Sequence, residues 1–367
     1  MKRMLVSLAS LTMALLTLNG CGKETETVAT AQAAPQEVYE WKMVTTWPRN
    51  YPGLGMAPEN FAKAVNAMSG GRLKVKVHGA GELVPAMGVF DAVARGAVQM
   101  GHGAAYYWKG KSPAAQFFTA VPFGMNVQEM NGWLHYGGGM ELWREVYAPF
   151  NLIPFTGGST GVQMAGWFKK EINSVEDLKG LKMRIPGLAG EVFQRLGGVP
   201  VTLPGGELFT ALQTGSIDAT EWVGPYNDLT FGLYKAADFY YYPGWHEPGA
   251  MLEFIVNKDA WESLPPDLQA IVTYATRAIN QDMLDEYTAR NNTALKELVG
   301  KHGVQLRKLP DDVVEALRTA SKQVIEETIA EDAVARKVYQ SFKSFREDVM
   351  PYTAISEGAF LEIRGDE

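Results

Sequence analysis

Residues 217–228 read IDATEWVGPYND and set one carboxylate, Glu221, beside Trp222 in a stretch that is mostly small, apolar or turn-forming. A carboxylate in such surroundings is costly unless a positive group faces it. That group is either a side chain or a metal ion. Arg184, in KMRIPG (182–187), ends a predicted strand and precedes a Pro-Gly turn. In a parallel sheet this is the carboxyl edge, where α/β proteins bind ligands. A guanidinium is a fixed fork of donors that matches the two oxygens of a carboxylate. Gln163, in GVQMAGW, lies on another predicted strand, and its amide either donates to a ligand or gives an oxygen to a metal. Tyr106 and Tyr107 follow a third strand in HGAAYYWKG; adjacent strand residues point to opposite faces, so one of the pair is expected to face a cleft. Trp47, at the end of the first strand, is placed to wall the same cleft. Glu247 and His246 share the turn YYPGWHEPGA before MLEFIVNK. A histidine in such a turn is more often packed or hydrogen-bonded than a ligand.

Other chemistries fit less well. GGSTG (157–161) matches the G-x-S-x-G nucleophile elbow of a serine hydrolase around Ser159, with Asp218 and His246 following in a usable order. The elbow needs a strand before it and a helix after it, and the following VQMAGWF is strand-like. A zinc enzyme lacks both a histidine pair at metal spacing and an HExxH motif, and no G-x-G-x-x-G nucleotide loop occurs.

The elements that must position these residues alternate. WKMVTTW (41–47) reads as a strand, and PENFAKAVNAMSGG (58–71) as a helix with Phe61, Ala64, Val65 and Met68 on one face. LKVKVHG (73–79) alternates as a strand, and residues 84–98 read as a helix leading into QMGHGAAYYW. A second run of strands and helices fills 162–222. This is an α/β chain with mostly parallel sheets and two lobes. The first lobe is expected at 38–160 plus about 250–290. The second is expected at 161–249 plus about 291–350, taking the C-terminal helices.

The chain has 367 residues, 46% hydrophobic and 20% charged, with a formal net charge of −7. Nothing in this balance suggests a nucleic-acid partner, which calls for a basic patch. Residues 1–20 form a signal peptide: a basic MKR and then a short apolar run, interrupted by Ser, Thr and Asn, that falls short of a membrane span. The run ends at Cys21, the only cysteine, and LNGC (18–21) resembles a lipoprotein cleavage box in which Cys21 is lipidated. The alternative is a plain secretory peptide cut near Ala31 or Ala33. Residues 21–37 read as a flexible tether without apolar period. A cysteine-free mature domain fits export without disulfides.

The ordered set LKGLKMRIPG, ELFTALQTGSIDATEWVGPYND and YYYPGWHEPG, followed by a helical C-terminal third, resembles the solute-binding proteins of TRAP transporters over about residues 38–350. It looks most like the subgroup that binds 2-oxo or 2-hydroxy monocarboxylates with a cation. The resemblance implies a two-lobed periplasmic receptor, without enzymatic activity, that delivers its ligand to the membrane permease of an ion-driven transporter. It implies that Arg184 holds the substrate carboxylate and that Glu221 and the Trp222 carbonyl coordinate the cation. Gln163 and Glu247 complete the metal set, and Trp222, Gln163, Tyr106, Tyr107 and Trp47 line the substrate. Oxygen-only ligation suits Na⁺ or Ca²⁺. Glu221, Glu247 and a ligand carboxylate bring three negative charges, which Arg184 with Ca²⁺ balances and Arg184 with Na⁺ leaves one short. Pyruvate, 2-oxobutyrate and lactate are the expected ligands. A homodimer through the C-terminal helices is a further implication, and a metal-free receptor for another organic anion or an amino acid is the main alternative.

Overall fold

The computed structural model describes residues 37–365, so the signal peptide, Cys21 and nearly all of the tether lie outside the described residues. The strands, in chain order, are β1 (Tyr39–Thr45), β2 (Leu73–His78), β3 (Met100–Gly103), β4 (Leu152–Ser159), β5 (Gly166–Phe168), β6 (Lys182–Arg184), β7 (Val199–Val201), β8 (Ala219–Thr220), β9 (Phe239–Tyr242), β10 (Met251–Asn257) and β11 (Gln305–Lys308). They form a five-stranded sheet in the order β2-β1-β3-β10-β4 and a six-stranded sheet in the order β11-β9-β5-β8-β6-β7.

The sheets are mixed rather than mostly parallel, and the cause is topological. The chain leaves the first sheet through β4 and enters the second at β5; it leaves the second through β9 and returns at β10. An outgoing and a returning strand that pair must run in opposite directions. β10 is accordingly antiparallel to β4 and to β3, and β5 is antiparallel to β9 and to β8. The remaining pairs are parallel: β1 with β2 and β3, β6 with β7 and β8, and β9 with β11. β10 is an inner strand of its sheet, between β3 and β4, and all seven of its residues are buried.

The two crossings, residues 160–165 and 243–250, run alongside each other. Thr160 N donates to Ala250 O at 3.3 Å and Gln163 N to Glu247 O at 3.2 Å. Gly244 is required here, because a Cβ at that position would come within 2.1 Å of the Gln163 carbonyl oxygen.

The helix Met56–Met68 buries Phe61 and Val65 as its periodicity demands, whereas Met68 at its end is half-exposed. The expected helix at 84–98 shortens to a 3-10 turn, Ala86–Gly88, and the helix Val89–Ala94. The helix Pro266–Gly300 has 35 residues and packs on β4, on Met56–Met68 and on the helix Pro225–Phe231, so it touches elements of both sheets. Helix Asp311–Glu331 packs on Gly187–Arg195, beside the second sheet. The next helix, Ala333–Thr353, was expected with it. It turns back instead and packs on the segment Pro113–Phe118 and the helices Val127–Tyr136 and Gly139–Tyr147, beside the first sheet. Its buried Ala335, Val338 and Phe342 explain the choice: Phe342 meets the ring of Trp133 edge-on at 5.3 Å, and Trp133 Nε1 donates to Ser341 Oγ at 3.1 Å. Among the described residues no helix is long and apolar enough to cross a membrane.

Candidate functional site

β6 and β8 lie side by side and parallel, with Arg184 opposite Thr220. Arg184 is the last residue of β6 and Thr220 the last of β8. Glu221 therefore leaves the sheet next to Arg184, and its N–H donates to the Arg184 carbonyl at 3.2 Å. Beyond Arg184 the chain turns through Pro186 into the helix Gly187–Arg195. Gly187 has φ +66°, and a Cβ there would lie 3.2 Å from Tyr106.

The side chains of Arg184 and Glu221 form a direct ion pair, both with 0% exposure. Arg184 Nε donates to the Leu203 carbonyl and Nη2 to the Tyr107 hydroxyl, each at 3.1 Å, and the guanidinium lies 5.0 Å from the Trp222 ring centroid. A guanidinium carries five N–H groups. These contacts engage one each on Nε, Nη1 and Nη2, which leaves one N–H on each of Nη1 and Nη2.

The other side of the pair is under-satisfied. Glu221 Oε2 has no hydrogen-bond partner and lies 3.5 Å from His246 Nε2. Neither nitrogen of the buried His246 has a partner. Glu247 Oε2 accepts from Gln163 Nε2 at 2.8 Å, and Gln163 Oε1 is unpartnered. Glu221, His246 and Glu247 each offer one ligating atom, all within 4.8 Å of one another. Unsatisfied polar atoms are rare in a protein interior, so this convergence points to a group that the protein is built to receive. Two carboxylates and an amide oxygen fit a hard cation, with one imidazole at the margin.

The electrostatics agree. Burial draws the Arg184 guanidinium down, but the Glu221 carboxylate together with Tyr107, Tyr106 and Glu247 outweighs it and holds the group up. Glu247 is pushed well above the usual carboxylate range, first by burial and then by the Glu221 charge, against the opposing pull of Arg184 and the Tyr106 hydroxyl. One guanidinium does not neutralise two buried carboxylates. Burial also raises the hydroxyls of Tyr106 and Tyr107, which remain donors.

The expected residues converge, with corrections. Tyr106 and Tyr107 lie on a 3-10 turn, Ala105–Trp108, not on a strand. Successive residues of such a turn project about 120° apart, so both reach the site: Tyr107 through Arg184, and Tyr106 against Glu247 and Gly187. Gln163 is in the crossing before β5 rather than on a strand. Trp47 is buried, with ring centroids 6.1 Å from Tyr107 and 6.0 Å from Trp222. Trp47 Nε1 donates to His102 Nδ1 at 2.8 Å, and His102 Nε2 contacts the Gly157 carbonyl at 2.7 Å. Burial lowers His102 to about 4, so the ring stays neutral, donating to Gly157 and accepting from Trp47. His246 belongs to the cluster, which sequence reasoning did not anticipate; its only signal is adjacency to Glu247. Asn227 and Asp228, buried in the same motif, were also missed. Asp228 accepts from Trp167 Nε1 at 2.9 Å, Tyr240 Oη at 2.7 Å and the N–H groups of Val223 and Gly224, and so pins the loop that carries Trp222.

Ser159 is not a nucleophile elbow. It ends β4, its buried hydroxyl donates to the Ala250 carbonyl at 2.8 Å, and residues 160–165 form no helix.

Residues 43–332 match the family model described as bacterial extracellular solute-binding protein, family 7. The chain is 45% identical to the monocarboxylate 2-oxoacid-binding periplasmic protein of Nostoc sp., over 97% of this chain and 96% of that protein. Two crystal structures of TRAP periplasmic solute-binding proteins are each 47% identical, with a TM-score of 0.87, and cover 89% of this chain and 99% of theirs. The one from Pseudoalteromonas atlantica holds sodium and pyruvate, and the one from Colwellia psychrerythraea holds calcium and pyruvate. The chain belongs to family 7 of the bacterial extracellular solute-binding proteins.

Proposed function

We propose that this member of family 7 is the periplasmic receptor of a TRAP transporter and binds a small 2-oxo or 2-hydroxy monocarboxylate, such as pyruvate, 2-oxobutyrate or lactate, together with one Na⁺ or Ca²⁺. The observation that carries this reading is the enclosed Arg184–Glu221 pair: two free N–H groups on the guanidinium, and an unpartnered Glu221 oxygen among Glu247 and His246. The free N–H on each Nη forms the fork that takes the ligand carboxylate. Glu221, Glu247, Gln163 and the Trp222 carbonyl hold the cation, which when bound offsets the two carboxylates and polarises the ligand's oxygens. Tyr106, Tyr107, Trp47 and the Trp222 ring exclude water, which strengthens each of these interactions. The pyruvate, sodium and calcium of the similar structures support the choice of ligand and ion.

The two lobes are the two sheets with the helices packed on them, joined by the two crossings and the helix Pro266–Gly300. Lobe closure over the ligand is the general device of such receptors. A homodimer through the C-terminal helices is supported by the exposed apolar side chains Tyr352, Ile355, Phe360, Leu361 and Ile363; sedimentation of the protein with and without residues 350–367 tests it. For the ligand, calorimetric titration with pyruvate, lactate and longer 2-oxoacids, each with and without Na⁺ or Ca²⁺, is the decisive experiment. Cation and ligand enhance each other's affinity by the same factor, because linkage is reciprocal. Equal ligand affinity with and without cation would overturn the reading and favour a metal-free receptor.

A further inference from the structure

A second buried polar cluster lies outside the ligand set, between the turn after β1 and the helix Pro225–Phe231. Asn227 is at its centre and is fully buried. Its carbonyl accepts from the Tyr51 hydroxyl at 2.7 Å, its Nδ2 donates to the Pro52 carbonyl at 2.9 Å, and its Oδ1 accepts from the Tyr287 hydroxyl at 2.6 Å. Tyr51 and Pro52 follow β1 of the first sheet, Asn227 follows β8 of the second, and Tyr287 is on the long helix that touches both. The bonds of Tyr51 and Pro52 to Asn227 therefore join the first sheet to the second, and Tyr287 ties Asn227 to the long helix that touches both. Tyr287 is seated against Gly53, at φ +62°, where a Cβ would meet its hydroxyl at 2.4 Å. The cluster is also wired to the ligand site, because Trp222 Nε1 donates to the Tyr51 hydroxyl at 3.2 Å.

We infer that Tyr51, Asn227 and Tyr287 form a latch that holds the receptor closed and slows ligand release without contacting the ligand. The inference rests on the receptor reading above. Ligand reaches an enclosed Arg184 only if the sheets separate, and separation takes Tyr51 and Pro52 away from Asn227. The Tyr51 and Pro52 bonds are then made on closing and lost on opening, and the Tyr287 bond goes with them in so far as Tyr287 stays seated against Gly53, beside Pro52, so the latch acts on the closed state. A device of this kind shifts affinity by the same factor for every ligand, since a ligand moves the equilibrium only through what differs between the two states. Trp222 makes the coupling local: the residue whose ring lies against Arg184 also touches the latch.

The test compares the wild type with Tyr287→Phe, Tyr51→Phe and Asn227→Ala. The two phenylalanine variants keep the rings and remove only hydroxyls, which guards against a misfolded Asn227→Ala. Dissociation rates of pyruvate and 2-oxobutyrate are read by stopped-flow tryptophan fluorescence in saturating cation. Tyr287→Phe, which loses one bond, should raise both rates about fivefold, and Tyr51→Phe, which loses two, about 25-fold, with equal factors for the two ligands. Rates within twofold of wild type would overturn the latch, as would a factor that differs between the ligands or an apo melting temperature lowered with release unchanged. If the wild type binds neither acid, the 2-oxoacid reading fails separately. The latch is then judged by X-ray scattering of the proteins in saturating cation, where identical profiles for wild type and Tyr51→Phe would overturn it and a more extended variant would support it.

Discussion

Arg184→Met separates a binding site from a structural ion pair. Arg184 and Glu221 are both fully enclosed, and the guanidinium also serves Leu203, Tyr107 and the Trp222 ring. If the pair existed only to satisfy itself, removing either member would strand a buried charge and cost about 3–5 kcal/mol of stability. Glu221 would be stranded next to Glu247, an especially poor neighbour. Arg184→Met with Glu221→Gln would then recover much of that loss. In a receptor whose sheets separate, water reaches both residues in the open apo form. Each single variant should then lose no more than about 1 kcal/mol of apo stability, the upper range of an exposed pair. Ligand binding should collapse, because a lost charged hydrogen bond to a carboxylate costs roughly 2–5 kcal/mol. That is about 30-fold to several thousand-fold in Kd. The double variant should not restore it. Denaturant melts and calorimetry on the three variants give the answer. Apo destabilisation rescued in the double variant, with 2-oxoacid binding intact, would refute the site.

Two further predictions concern pH and anchoring. Glu253 is buried, accepts from Trp108 Nε1 and Tyr147 Oη, and is raised by burial from 4.5 to about 7. The native state then holds a proton that the unfolded state has released, so stability is fullest below about pH 4.5 for this group and falls as pH rises toward 7. Urea melts should show Glu253→Gln less sensitive to this rise than wild type; parallel curves would reject the assignment. For the leader, Cys21→Ser should release the protein from the membrane fraction or leave it unprocessed, and a lipid-free wild type beginning near Ala34 would discard the lipoprotein reading.

Much of the site was legible because its residues stand where backbone direction changes. Arg184 before Pro-Gly and Glu221 after a short strand are edge positions of a parallel pair, and β6 and β8 are that pair. Sequence is less decisive wherever a side chain's direction depends on the partner strand or turn type. Tyr106 and Tyr107 were assigned strand alternation, but a 3-10 turn sends both to the site. Gln163 was assigned to a strand because VQMAGWF has strand composition. Its N–H bonds to the other crossing, and only Gly166–Phe168 joins the sheet. The helix Ala333–Thr353 was misplaced because periodicity reports that an apolar face exists and says nothing about which surface covers it. Asn227 was overlooked because an asparagine after a Gly-Pro turn looks like a solvated cap, and its partners Tyr51 and Tyr287 are far away in sequence.

The placement of Gln163 and Glu247 explains why ligand and lobe angle should be inseparable. Arg184 and Glu221 come from one rigid place, the ends of adjacent parallel strands in the second sheet. Gln163 and Glu247 come from the two crossings that join the sheets, hydrogen-bonded to each other through backbone and side chain. Tyr106, Tyr107 and Trp47 come from the first sheet's edge. A group held by the first pair alone would bind equally well in open and closed forms. On the proposed reading, a cation and carboxylate held by all three sources bind the closed form better, and the difference in affinity is the free energy available for closing. The two buried carboxylates raise that difference, because a closed site with one guanidinium is under-neutralised until the cation arrives. On that reading, closure without cation is disfavoured by the same residues that make closure with it tight.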